Sequence, residues 1–188
     1  MTMYIIGALV LLVLGAYVYN EIQSESRLKP NWEAFANKHK LSFEALGERF
    51  TVKGYYNGHA LHLFTWTELK RWGTTARVLV RAPLPDDMRI TREDALQKFI
   101  SPDLQLHDPT LDNALRFEGA DRARLAALLD TPVTRAALHT MVKLGVSFEL
   151  RGQLLEYTAS GHLPIEQLLP HLDAMCQLAD ALNEAAGA

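Results

Sequence analysis

The chain has 188 residues, a formal net charge of −3 and a pI near 6.2. That length holds one ordinary domain with a sizeable core beside any terminal segment. The mild acidity and the scatter of the basic residues exclude an electrostatic field for nucleic acid phosphates, and one cysteine, Cys176, excludes an intramolecular disulfide.

Met3 to Tyr19 is a 17-residue run without charge. As a helix it would be about 25 Å long, at the short end of what crosses a hydrocarbon core of about 30 Å. Ile5, Ile6, Leu9, Val10, Leu11, Leu12, Val13, Leu14 and Val18 supply the apolar body. Tyr4 stands at one end, and Tyr17 and Tyr19 at the other, as in an aromatic interface belt. A cleaved signal would want a basic start and small residues at a cut site, and the run has neither. A core helix would show a polar face, which is also missing. The run therefore predicts a single-pass transmembrane anchor over residues 1–19. Arg27, Lys29, Lys38 and Lys40 follow it and no basic residue precedes it, which predicts a cytoplasmic domain, with a periplasmic one as the alternative.

Asn20 to Pro30 is polar and reads as a tether, leaving 31–188 as the domain. Asn31 is placed to cap a helix from Trp32 to about Lys40. Alternation over 41–45 and 50–53 predicts two strands. Asn57-Gly58 between apolar runs predicts a tight hairpin into a strand over 59–68, with Leu61 and Leu63 on one face and His62, Phe64 and Trp66 on the other. A fourth strand is expected over 74–82, completing an antiparallel meander. Lys70-Arg71-Trp72-Gly73 would form the tip between the last two strands, two cations and an indole placed to touch a membrane or a partner.

The Pro- and Asp-rich stretch 83–87 breaks the sheet. A short edge strand is expected over 88–90, a short helix over 91–99, a loop over 101–112 and a brief strand over 114–118. Asp121 and Thr131, the latter followed by Pro132, predict two capped helices, the second closed by Gly145. A hairpin around Gly152 follows, then a long C-terminal helix over 164–185 that Pro170 should kink or split. The fold class is thus α+β: an anchor helix, a four-stranded meander plus a later hairpin, and packing helices. Residues 34–54 and 138–161 each read as helix, S-F-E strand, turn and strand, a faint internal echo.

The Trp-led helix, the turn Gly54-Tyr55-Tyr56-Asn57-Gly58, and the segment from Asp108 to Phe117 give the chain a resemblance to a loosely defined class of bacterial membrane-anchored proteins of unknown function. The resemblance covers most of residues 31–182 and implies an α+β domain at the inner membrane. It implies no catalytic residues.

Chemistry-bearing residues are sparse. Asp103, His107, Asp108 and Asp112 share one loop, but their spacing lacks the glycine and closing glutamate of a calcium loop, so a polar turn at Asp108-Pro109 is the expectation. His59 and His62 point to opposite faces of a strand. Cys176 falls in the apolar stripe Leu172, Met175, Cys176, Ala179 and Leu182, as a packing residue would. Ser160-Gly161 is no nucleophile elbow, and phosphate-loop and dinucleotide fingerprints are missing. These readings lead to a non-enzymatic binding or scaffold module, without cofactor, metal or nucleic acid partner, held at a bacterial inner membrane by its N-terminal helix and working with another membrane-complex protein. The alternative is an enzyme or small-ligand carrier with a pocket between the sheet and the C-terminal helix.

Overall fold

The computed structural model describes residues 28–68, 71–93, 103–145 and 147–187. The apolar run and its residues from Tyr4 to Tyr19 lie outside them, as do Lys70 and most of the helix expected over 91–99. Among the described residues no helix is long and apolar enough to cross a membrane.

The domain is α+β, with an antiparallel sheet backed by helices. Helix α1 covers 28–39. The strands are β1 Ser42–Leu46, β2 Arg49–Tyr56, β3 His59–Glu68, β4 Arg71–Leu79, β5 Arg89–Arg92, β6 Leu115–Glu118, β7 Phe148–Arg151 and β8 Leu154–Ser160. The remaining helices are α2 Pro109–Ala114, α3 Arg122–Leu129, α4 Pro132–Lys143 and α5 Ile165–Ala185. The meander and the later hairpin form one sheet, in the order β1-β2-β3-β4-β8-β7-β5-β6. Their seam pairs Gly73 through Leu79 with Ser160 through Leu154.

Strand β3 shows why one face is covered. His59, Leu61, Leu63 and Thr65 are buried, while Ala60, His62, Phe64 and Trp66 are half-buried on the other face. The covered face takes α1 through Trp32 on Phe50 and Phe35 on Tyr56, and α5 through Tyr56 and Cys176. Leu172, Met175, Cys176, Ala179 and Leu182 of α5 are all buried in the core. Asn57 and Gly58 both take positive φ, which suits the two-residue hairpin turn the sequence predicts. Asp121 and Thr131 accept hydrogen bonds from Arg124 N and Thr134 N, as expected of caps.

Five expectations are corrected. Residues 28–30 are helical rather than tether, and Asn31 caps a different helix: its Oδ1 accepts from Ile165 N at 3.0 Å, at the start of α5. Strand β4 begins at Arg71, not Thr74, so Arg71 and Trp72 are strand residues paired with Glu68 and Thr67. Residues 109–112 of the expected loop are helical. Pro170 does not split α5, which runs continuously across it. It sits in the second turn, where its missing N–H forfeits one bond, to the first-turn carbonyl of Glu166.

Candidate interaction surface

The β1–β2 turn leaves Leu46 81% exposed, beside exposed Arg49. The register places this turn and the β3–β4 tip at one end of the sheet: Thr51 pairs with Phe64, and Trp66 with Gly73. Thr65 ties the two hairpins together. Its hydroxyl accepts from Phe50 N at 2.8 Å and donates to the Glu48 carbonyl at 3.3 Å. At the β3–β4 tip Arg71 is exposed and Trp72 is 49% exposed. Gly161 N donates to the Trp72 carbonyl at 2.9 Å, so the β8–α5 connection lies against the tip.

Helix α1 starts at this same end. Trp32, in its second turn, packs on Phe50 with the rings tilted by 53° and 5.9 Å between centroids, and donates Nε1–H to the Leu163 carbonyl at 3.0 Å. Phe35 and His39, nearer its end, lie on Tyr56 at the far end of β2. The start of α1, the start of α5 and two hairpin turns carrying Leu46 and Trp72 thus converge. Lys29, Arg49 and Arg71 stand beside Glu48 and Glu68, all exposed, so the described residues there carry little net field.

The opposite end is locked instead of open. Tyr56 Oη donates to Asp173 Oδ1 at 2.8 Å, and Asn57 Nδ2 donates to the same oxygen at 3.2 Å. Fully buried His59 meets Asp180 through Nε2 at 2.9 Å. Asp173 and Asp180 are seven residues apart and so lie on one face of α5. Burial, helped by Asp173, pushes the Tyr56 phenol well above its ordinary range. Cys176 lies between the two carboxylates, and burial with their charges pushes its thiol up to about 12, far from a thiolate.

In the loop before α2, Asp108 Oδ1 accepts from Thr110 N and Leu111 N, while Asp112 accepts from Leu106 N and Asp108 N. Asp108 Oδ2 meets His139 Nε2 at 2.7 Å and Arg135 at 3.6 Å. The carboxylates of Asp108 and Asp112 are thereby engaged in capping α2 and docking it on α4. Desolvation opposes the Asp108 charge, but the His139 bond and the two backbone donors outweigh it and hold the carboxyl below its usual value. A lowered folded pKa contributes stability above the unfolded value near 4, lost as pH falls through the folded one. Asp108→Asn is therefore expected to melt below wild type at pH 7, with the gap closing below about pH 4. An unchanged gap across that range would contradict the assignment.

No family model and no curated protein matches the chain. The domain is similar in fold to the crystal structure of the mycobacterial trehalose monomycolate transport factor A, TtfA. The match has a TM-score of 0.57 at 12% sequence identity, and covers 84% of this chain and 95% of that one. At that identity the likeness concerns the fold.

Of the residues singled out in the sequence, Arg71 and Trp72 fall on the exposed end of the sheet that also carries Leu46, with Trp72 and Leu46 on opposite faces of it. A groove of about 330 Å³ is lined by Arg92, Asn113, Leu115 and Val142 among others, with no lining residue from α5, against which a ligand pocket was the alternative.

Proposed function

We propose that the chain is a non-enzymatic binding module of a bacterial inner-membrane assembly. Residues 1–19 anchor it in a single pass, and the α+β domain sits on the cytoplasmic side. Its partner is another protein of the assembly, with Lys70, Arg71 and Trp72 at the tip in contact with that partner or the membrane. The carrying observation is the join between an uncharged run ending at Tyr19 and a folded domain already helical at Leu28. The likeness to a transport factor supports an accessory role in transport, and that role is what we carry over, not the cargo in the neighbour's name. The use of Asp108, Asp112, Asp173, His59 and Cys176 in holding elements together supports binding over catalysis.

The full-length chain is expected to stay in the membrane pellet after carbonate washing. Cross-linking in gently solubilised membranes is expected to trap it with an integral membrane protein. A reporter active only in the cytoplasm, fused after Ala188, is expected to be active. Release by carbonate would overturn the anchor, and strong activity of a periplasmic phosphatase at the same position would move the domain to the other side.

A further inference from the structure

We infer that the end of the sheet at which α1 begins rests on the bilayer, with Leu46 and Trp72 seated at the boundary between headgroups and acyl chains. This rests on the anchored reading above and gives the domain a fixed orientation within it. Only eight residues, Asn20 to Arg27, separate the apolar run from Leu28. Fully extended they reach at most about 29 Å. The domain is therefore attached to the lipid surface by the side where α1 starts, and Trp32 on Phe50 identifies that side as the end carrying both hairpin turns.

The two most exposed apolar groups at that end are of the kinds suited to an interface. Trp favours the headgroup level, with its ring in the boundary and its N–H toward water. Leu46 adds an aliphatic group on the neighbouring turn. Glu48 and Glu68 stand against Lys29, Arg49 and Arg71, so the described residues leave one net positive charge at this end and the attraction is chiefly apolar. Leu79, 44% exposed, stands at the other end of β4. Eight residues of strand place it about 27 Å from Arg71, where the same geometry leaves it in water.

The test uses the full chain reconstituted in neutral phosphatidylcholine vesicles, with or without brominated acyl chains. Brominated lipid is expected to quench a component of tryptophan emission that Trp72→Phe removes. An environment-sensitive fluorophore on Leu46→Cys is expected to be blue-shifted and severalfold brighter than one on Leu79→Cys, and raised salt is expected to change neither result. Cys176 is buried and does not compete for the label. The Leu46 label reads the same contact if Trp72→Phe folds poorly. Equal quenching of wild type and Trp72→Phe, together with equal emission from the two labels, would overturn the inference while leaving the anchor standing. A blue shift at position 46 without lipid quenching would also overturn it, in favour of cover by protein. Loss of the chain from carbonate-washed vesicles would overturn the anchored reading itself.

Discussion

Trp32→Ala is expected to destabilise the domain by about 3–5 kcal/mol, the range for deleting a fully buried large aromatic. Trp32 has no exposed surface, packs on the Phe50 ring at a tilt, and ties α1 to the β8–α5 connection through the Leu163 carbonyl. Truncation leaves a cavity at the join of three elements and an unpaired carbonyl. For a domain of this size the shift is roughly 2–4 °C per kcal/mol, so the melting temperature of the full chain in mild detergent should fall by at least about 6 °C. Trp32→Phe keeps most of the apolar area and loses only the hydrogen bond, about 0.5–1.5 kcal/mol. A Trp32→Ala loss no larger than that of Trp32→Phe would mean that the packing described here does not hold α1 in place. The consequence reaches function, because α1 is the element through which the anchor would impose its position on the domain.

Local chemistry made much of this fold legible. Asn57-Gly58, Asp121, Thr131-Pro132, Gly145 and Gly152 each name their own backbone geometry, and the elements they bound fall close to where the sequence places them. The seam between β4 and β8 was not legible. It joins residues about eighty positions apart, and neither strand's alternation says which edge it will meet. The start of β4 was misplaced for a related reason. Arg71 and Trp72 look like turn residues locally, but pairing with Glu68 and Thr67 extends the strand over them. Asn31 was misread because capping geometry is the same whether the capped helix is the next one or another that arrives 134 residues later.

The candidate surface was legible in half. Trp72 and Arg71 stand out as an indole and a cation beside a glycine. Leu46 does not, since a leucine ending an alternating strand reads as core. Only the register, which brings the β1–β2 turn to the end where α1 starts, turns it into a neighbour of the tip. Asp173 and Asp180 were missed for the converse reason. They flank an apolar stripe and look like its solvent-facing border. In the fold they receive Tyr56, Asn57 and His59 from the tight β2–β3 turn, so the Gly54–Gly58 motif acts as a latch onto α5.

Gly73→Ala is expected to destabilise the chain by about 2–4 kcal/mol, although it adds one methyl group. That carbon would lie 2.3 and 2.6 Å from two atoms of the Trp66 ring and 2.7 Å from the Ala159 carbonyl oxygen. The indole cannot simply swing away, because Trp66 Nε1 donates to Thr75 Oγ1 at 3.0 Å and Thr75 is itself bonded to Thr158 across the seam. The carbonyl cannot retreat without opening β4 from β8 beside the Thr74–Ala159 pair. Overpacking of this kind costs about 1–3 kcal/mol, and a lost hydrogen bond adds about 0.5–1.5. The two clashes separate in a double-mutant cycle. With Trp66→Ala the ring clash vanishes and the carbonyl clash remains, so Gly73→Ala should cost less in that background, with a coupling of about 0.5–3 kcal/mol. Full additivity, read from chemical denaturation of the four chains, would mean that the Trp66 ring does not lie over Gly73. Without that contact the indole of Trp66 would turn outward on the face of the sheet opposite to Trp72, and the apolar character of this end of the sheet would have to be assigned to both tryptophans.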